Sequence, residues 1–586
     1  MAPTALASTS SGQSSPGRLR ILVPEKVSPD GLALLSGDFD VDTRPGLSAA
    51  ELVELIPSYH GLIVRSETRV TAAVLQAGRR LRVVARAGVG VDNIDVDAAT
   101  RHGVIVVNSP AGNIVAAAEH TVALLLATAR NIGRADRTFK QGQWERGKLV
   151  GVEVGRKTLG IIGLGKVGMK VARMCIGLGM KVLAVDPYAS PALAKQAGVE
   201  LIPGGLEELL PLVDFLTIHT PLLASTLDLL GEAEFQKMKN TARVLNVARG
   251  GVYNEAALLK ALDQGWIAGA GLDVFTKEPP EPGSVAAELA EHEKVVSTPH
   301  LGASTVEAQE NVSLDVCSQM LTILRGGLPT AAVNAPLILP EEYRKLQPYV
   351  KLVERMGALY TQHYASAGRN SGGLLGGTKF ELVYEGELSG VSNTRPLFAA
   401  LVKGLVSVIT DSGGRDVNIV NATLIAKEKG IVINEVHERG SSDDGSSSGA
   451  YASLVTLRRG ANRSGGQMIQ GYVSGKNIYI SKLGRFTSSF VPEGSLLILH
   501  NYDEPGKIGG VGLVLGKHGI NIRFMQVASL EEEEESGPEG KEPDGGGAGL
   551  PALMILGVSG TVSRAVVEDL ERSEGILDVS LVQLEG

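Results

Sequence analysis

From Thr158 to His300 six apolar runs, TLGII, KVLAV, DFLTI, ARVLNV, AGAGLDVF and KVVST, alternate with stretches of helical period. Strands separated by helices pair in parallel through right-handed crossovers, so this segment is confined to a doubly wound α/β sheet. The first run leads into Gly163, Gly165 and Gly168, a GxGxxG turn that opens a helix at Lys166 and Val167, and Asp186 ends the second run. Glycine at the first two positions permits a tight turn and close approach of a pyrophosphate to the backbone, and the third permits close helix–strand packing. Asp186 can accept a ribose hydroxyl and repels a 2′-phosphate, so the pattern predicts NAD rather than NADP.

Residues 19 to 108 repeat the alternation with RLRILV, HGLIVR, LRVVARAGVG and GVIVVN, a second α/β lobe. The nearly all-apolar stretch from Gly112 to Arg130 is expected to be a helix buried between lobes or subunits. AAVNAPLILP marks a boundary, and a third unit follows, opening with a helix near Glu341 to Tyr364. The last unit reads βαββαβ, the order of a ferredoxin-like module. Three polar segments, GRNSGGLLGGT, SSDDGSSSGA and the acidic EEEEESGPEGKEPDGGGAG, are expected to be loops, the last one disordered. The predicted division is a tail over 1–18, a discontinuous substrate-binding lobe over 19–120 and 309–335, and a dinucleotide-binding lobe over 121–308. An α+β domain over 336–490 and the ferredoxin-like module over 495–586 complete it.

Composition narrows the function classes. The 56 Lys+Arg against 64 Asp+Glu give a net charge of -8, without the basic excess that a general nucleic-acid binder needs. No apolar run reaches the ~18 residues of a membrane span, the best candidate being broken by Glu119 and His120. Two cysteines, Cys175 and Cys317, fall short of a disulfide scaffold or a structural zinc site, and no metal site is predicted. The Ser/Thr/Ala-rich residues 1–18, without an acidic residue, fit either a plastid transit-peptide remnant or a plain disordered tail. The corresponding locations are the plastid stroma and the cytoplasm.

Three further stretches at strand ends, NVARGG around Arg249, LDVFTKEPP around Glu278 and STPHLGAST around His300, are not explained by packing. Strand ends of a doubly wound sheet converge on the ligand crevice, so these residues can meet. With the glycine turn they resemble the D-isomer-specific 2-hydroxyacid dehydrogenase family over roughly residues 19 to 335. The resemblance implies hydride transfer to NAD. His300 then acts as general base, Glu278 orients it, and Arg249 holds the substrate carboxylate. It also implies cofactor contacts from Thr220, Val247, Ala248, Asp273 and Gly302, and leaves His219 open. Val89 stands where many relatives have Thr, so a contact there falls to backbone.

Arg65 and Ser66, Arg86 with Ala87 and Gly88, and Arg146 lie next to strand ends or the lobe junction. Three arginines exceed the needs of one carboxylate and suit a phosphate. This arrangement is similar to the branch of the family that acts on 3-phosphoglycerate. That branch's long form has an intervening allosteric-substrate-binding-like domain and a C-terminal ACT domain, and the resemblance reaches it through Tyr502–Gly506 and Gly519–Ile522. By that resemblance Asn501 and Asp503 either cap serine or another amino-acid effector or are purely structural. The expected activity is oxidation of 3-phospho-D-glycerate to 3-phosphooxypyruvate, the first step of phosphorylated L-serine synthesis. The alternatives are a hydroxypyruvate or glyoxylate reductase and a non-catalytic NAD-sensing corepressor-like protein. The apolar helix predicts a homodimer or homotetramer.

Overall fold

The structure, a computed structural model, describes residues 18–329, 331–336, 338–365, 375, 377–410, 414, 417–438, 452–460, 466–530 and 550–584. The N-terminal tail up to residue 17, the SSDDGSSSGA segment, the acidic insertion and most of GRNSGGLLGGT lie outside these residues. Among the described residues no helix is long and apolar enough to cross a membrane, and no cluster of metal-ligating side chains occurs.

The first lobe is a five-stranded parallel sheet of β1 (Arg20–Val23), β2 (Asp40–Thr43), β3 (Gly61–Val64), β4 (Val83–Arg86) and β5 (Ile105–Asn108). Its order is β2-β1-β3-β4-β5. Successive strand residues feed opposite cores. Leu22, Leu62, Val64 and Val84 pack on one face, and Ile21, Ile63, Val83 and Val107 pack on the other with the helix Val306–Leu324. This two-sided burial is why the strands read as continuous apolar runs.

The second lobe contains β6 (Thr158–Ile162), β7 (Lys181–Val185), β8 (Glu200–Leu201), β9 (Phe215–Ile218), β10 (Arg243–Asn246), β11 (Gly269–Leu272) and β12 (Val295–Ser297). Their order, β12-β11-β10-β9-β6-β7-β8, is all parallel and reverses direction beside β6, which places the switch-point crevice at the glycine turn. The sequence shows six of these seven strands. The seventh, β8, is two residues paired to Leu183 and Ala184, too short for a period to register.

The helix Ile114–Ala129 packs on this second sheet, with Leu124, Leu125 and Ala129 in its core. Its buried Thr121 and Thr128 hydroxyls donate back to Ala117 and Leu124 carbonyls. The opposite face is open in the single chain, where Val115 is 49% exposed. The helix Val306–Leu324 packs on the first sheet, as the helix Ile114–Ala129 packs on the second.

The third domain is a six-stranded mixed sheet in the order β14-β13-β15-β16-β17-β18. Its strands are β13 (Lys379–Gly386), β14 (Val432–Glu438), β15 (Ser453–Arg459), β16 (Met468–Ser474), β17 (Asn477–Leu483) and β18 (Phe486–Phe490). Two of its helices, Pro340–Tyr360 and Arg395–Val406, touch backbone to backbone at Gly357 and Gly404. A Cβ on Gly404 would lie 2.0 Å from the Glu354 carbonyl oxygen, so only glycine fits there.

The last domain has β19 (Gly494–Tyr502), β20 (Asn521–Ser529), β21 (Pro551–Ser559) and β22 (Ile576–Leu584) in the antiparallel order β20-β21-β19-β22, the ferredoxin-like arrangement. One face of this sheet buries Leu497 and Leu499 under its own helices. The other face, with Leu496, Ile498 and Leu553, merges with the core of the third domain.

At this seam His363 is 3% exposed, hydrogen-bonded through Nδ1 to the Ser580 hydroxyl at 3.0 Å and stacked on His500 at 5.6 Å between ring centroids. Burial, reinforced by His500, pushes the His363 imidazole from 6.5 down to about 3. Above pH 6.5 both the folded and the unfolded chain carry it neutral, and its neutral packing contributes fully. Between 6.5 and about 3 the unfolded chain takes up a proton that the folded chain refuses. Stability is therefore expected to fall as pH drops through that window, by up to ~1.4 kcal/mol per pH unit from this one group. Urea titrations at pH 7 and pH 5 check this. His363→Phe should lose less stability between the two pH values than the wild type.

Candidate active site

The glycine turn sits at the C-terminal end of β6 and caps the helix Lys166–Gly177, whose N-cap is Gly165. Gly163 has φ 90, and a Cβ there would lie 2.7 Å from the His219 carbonyl oxygen. A Cβ on Gly168 would lie 2.2 Å from the Gly163 oxygen. At Gly165 the same position is open, which leaves a bare backbone cradle at a helix N-terminus. Across it, the Thr220 hydroxyl is buried without a protein partner among the described residues. An open cradle beside an orphaned hydroxyl fits a dinucleotide. His219, hydrogen-bonded to Thr217 at 3.1 Å, is pushed down to about 4 by burial and is neutral at pH 7.

Asp186 follows β7 and braces the turn, accepting the Leu164 amide at 2.7 Å and the Tyr188 amide at 2.8 Å. Each oxygen keeps a lone pair for a ribose hydroxyl. A carboxylate here repels a 2′-phosphate, so NADP should support turnover at least about 10²-fold less well than NAD. Asp186→Ala should narrow that ratio and raise the KM for NAD, because the brace on Leu164 goes with it. Steady-state kinetics with both dinucleotides reads both effects.

Val247, Ala248 and Arg249 lie beyond β10, in a turn held by Asn246. Its side-chain amide donates to the Arg249 carbonyl at 2.7 Å, and its side-chain oxygen accepts the Ala248 amide at 2.9 Å. The Arg249 guanidinium crosses to the first lobe and meets Asp92 at 3.2 Å. A Cβ on Gly90 would lie 2.0 Å from it. The neighbouring Gly250 abuts the Phe275 backbone, and the Phe275 amide binds Glu278 Oε1 at 3.0 Å.

Glu278 Oε2 and His300 Nδ1 are 2.6 Å apart. Burial alone would raise the Glu278 carboxyl, but hydrogen bonds from His300 and the Phe275 amide outweigh it and hold the group below its ordinary value. An ionised carboxylate only accepts, so Nδ1 carries the proton and the neutral ring has its lone pair on Nε2. Among the described residues Nε2 makes no hydrogen bond, and the side chain is 43% exposed.

The His300 loop is clamped by Asp273, which is 1% exposed. The Asp273 carbonyl accepts the His300 amide at 2.9 Å. Its carboxylate accepts the Leu301 amide at 2.7 Å, the Gly302 amide at 2.8 Å, the Thr298 hydroxyl at 2.6 Å and His120 at 3.2 Å. Burial would raise this carboxyl too, but the bonds from His120, Thr298 and Leu301 hold it down.

In the first lobe, Arg86 ends β4 with a buried Nε that has no partner among the described residues. Its guanidinium lies over Gly88, where a Cβ would fall 1.7 Å from Nη1, while Ala87 is buried beneath. Burial, with Arg249 and Arg65 adding repulsion, pushes Arg86 down to about 10, so it stays charged at neutral pH. Arg65 and the exposed Ser66 open a loop held from below by the buried Glu25, which accepts the Arg65 amide at 2.8 Å and the Thr68 amide at 3.0 Å. Asn93 holds it from above, donating to the Arg65 carbonyl at 2.9 Å.

Arg146 does not join this group. It is exposed on the short helix Arg146–Leu149, lining a hollow with Phe139 and Trp144. The Val89 carbonyl is already engaged by Asn108 at 2.5 Å. In the last domain Asn501 is buried with Nδ2 donating to the Tyr502 carbonyl and Oδ1 without a partner among the described residues, whereas Asp503 is exposed. Sequence reading missed Glu25, Asn93, Asp92, Asn246, Thr298 and the engagement of His120; all but Asn246, which braces its own turn, act through contacts with no local spacing.

Family models match in chain order. The D-isomer specific 2-hydroxyacid dehydrogenase, NAD binding domain, matches residues 122–302, and the D-3-phosphoglycerate dehydrogenase intervening domain matches residues 345–479. D-3-phosphoglycerate dehydrogenase of Archaeoglobus fulgidus is 38% identical over 568 residues, 97% of this chain and 100% of that one. D-3-phosphoglycerate dehydrogenase 2, chloroplastic, of Arabidopsis thaliana is 42% identical over 517 residues, 87% of this chain and 80% of that one. The solved structure of a putative D-isomer specific 2-hydroxyacid dehydrogenase, NAD-binding, from Polaromonas superposes with a TM-score of 0.50 at 26% identity, covering 54% of this chain and 99% of that one. With relatedness this continuous, the chain belongs to the NAD-dependent D-isomer specific 2-hydroxyacid dehydrogenase family, in its D-3-phosphoglycerate dehydrogenase group.

Proposed function

We propose that the protein oxidises 3-phospho-D-glycerate to 3-phosphooxypyruvate, the entry to phosphorylated L-serine synthesis. One observation carries the substrate. Arg65 and Arg249 both repel Arg86, whose buried Nε has no partner among the described residues, and the acidic neighbours are Glu25, already engaged with backbone, and the 72% exposed Asp92. Such a cluster calls for a multivalent anion, and a phosphate with nearly two charges beside a carboxylate supplies one.

Arg249 holds the substrate carboxylate and polarises the forming carbonyl. Arg65 and Arg86 take the phosphate. His300 Nε2 accepts the hydroxyl proton, and Glu278, bonded to Nδ1–H, stabilises the imidazolium that results. Bound NAD supplies the acceptor for the hydride leaving C2. Initial rates of NADH appearance at 340 nm, with and without hydrazine to trap the keto product, test the reading. Hydrazine-enhanced turnover of 3-phosphoglycerate supports it, and absence of turnover with 3-phosphoglycerate overturns it.

Arg146, lining a hollow with Phe139 and Trp144, reaches substrate from a second copy in this reading. The exposed Phe139, Trp144 and Val150, at 64%, 79% and 79%, favour a homodimer or homotetramer with its contact around the helix Arg146–Leu149. The buried Asn501 Oδ1, without a partner among the described residues, favours capture of a small amino acid such as serine in the last domain. The plastid stroma is the proposed location, in keeping with Arabidopsis relatives named chloroplastic.

A further inference from the structure

The apolar helix Ile114–Ala129 carries one imidazole, His120, which is 19% exposed. Its Nε2 lies 3.2 Å from Asp273 Oδ1 and 3.0 Å from Thr298 Oγ1. The Thr298 hydroxyl has a single proton and gives it to Asp273 Oδ1 at 2.6 Å. Both oxygens facing His120 are therefore acceptors, and Nε2 must be the donor. The acceptor it grips is the residue whose carbonyl and carboxylate hold the amides of His300, Leu301 and Gly302 in succession.

The grip matters because His300 sits at φ 54, in the left-handed region that a residue with a side chain keeps only where its surroundings over-determine it. Thr298, Leu301 and Gly302 all belong to the loop being held. His120 is the one side chain from another element that bonds the Asp273 carboxylate, among the described residues. Its helix is also the first element after the chain crosses from the substrate lobe into the cofactor lobe.

We propose that His120 is a positioning residue for the proton transfer. It is a fixed Nε2–H donor that holds Asp273, and through it the His300 loop, to the helix that begins the second lobe. The inference rests on the assignment of His300 as the base.

The test compares His120→Leu, which removes the donor, with His120→Gln, whose amide offers an N–H at similar reach, and with His300→Asn in the same assay. Removing the donor should lower kcat by about 10²-fold, the scale on which a small misplacement of reacting groups costs, while the KM for 3-phosphoglycerate and the NADH Kd change by less than about threefold. The midpoint of the kcat–pH profile should move as well, since the ring of His300 is held differently. His120→Gln should recover most of kcat and the wild-type midpoint.

A His120→Leu enzyme with near-normal kcat and an unmoved profile overturns the inference. So does equal impairment of both variants with KM and Kd rising in step, the mark of a general structural loss. If His120→Leu does not fold, the contrast of His120→Gln with the shorter His120→Asn decides, and equal rates overturn the inference. Turnover surviving in His300→Asn would overturn the base assignment and this inference with it. An inactive His300→Asn beside a normal His120→Leu removes the inference alone.

Discussion

Replacing His300 by asparagine lowers kcat by roughly 10³-fold, within the 10²- to 10⁴-fold that positioned acid–base groups contribute. NADH binding, followed by nicotinamide fluorescence, stays close to wild type, because the cradle at Gly165 and the Asp186 brace are untouched. The physical reason is the proton. Asparagine can occupy the space and keep a hydrogen bond to Glu278, but it has no lone pair that takes up a proton near neutral pH. Glu278→Gln should show a smaller fall in kcat. The Nδ1–H would then meet an amide with half the acceptor capacity of the carboxylate now 2.6 Å away, and the imidazolium would lose its counter-charge. Near-normal turnover in His300→Asn would remove the base from the account.

The second large effect belongs to the arginines. Arg65→Ala with Arg86→Ala removes two charge-assisted partners, each worth ~1.5 to 3 kcal/mol, so kcat/KM for 3-phosphoglycerate is expected to fall by about 10²- to 10⁴-fold. Unphosphorylated D-glycerate or hydroxypyruvate, which makes no use of a phosphate pocket, should lose less than about tenfold on the same scale. Relief of the repulsion that Arg65 and Arg249 exert on Arg86 partly offsets the loss for these smaller substrates. Parallel steady-state kinetics with both substrate types checks the difference. Equal losses for both would make the cluster a carboxylate site and favour a hydroxypyruvate or glyoxylate reductase.

How much of this was legible in the sequence depends on the range of the interaction. The two parallel sheets follow from alternation of apolar runs and helical stretches, a pattern within tens of residues. The glycine turn is legible because each glycine answers a local steric demand, as at Gly168 against the Gly163 oxygen. Glu278 and His300, 22 residues apart, meet because they follow β11 and β12, which are neighbours in the sheet. Strand-end convergence is enough to anticipate such a meeting.

Apart from Asn246, whose bonds are local to its own turn, the missed residues share a different property. Glu25 reaches Arg65 across 40 residues, Arg249 reaches Asp92 across 157, and His120 reaches Thr298 across 178. A hydrogen bond over such separations leaves no spacing to read. In sequence His120 is visible only as an interruption of an apolar helix.

Arg146 is the converse case. Its place near the lobe junction in sequence suggests company with Arg65 and Arg86, and in the folded single chain it lines a hollow with Phe139 and Trp144. The helix Ile114–Ala129 likewise reads as apolar on all sides although one face stays open, because a sequence records apolarity and not which chain covers it.

Transfer of the C2 hydrogen tests the central claim most directly. The purified full chain is incubated with 3-phospho-D-glycerate deuterated at C2, NAD and hydrazine, and the reduced cofactor is examined by mass spectrometry. The account predicts one deuterium per NADH formed, and loss of the signal in His300→Asn. Reduced cofactor without deuterium, or none formed at all, would contradict it.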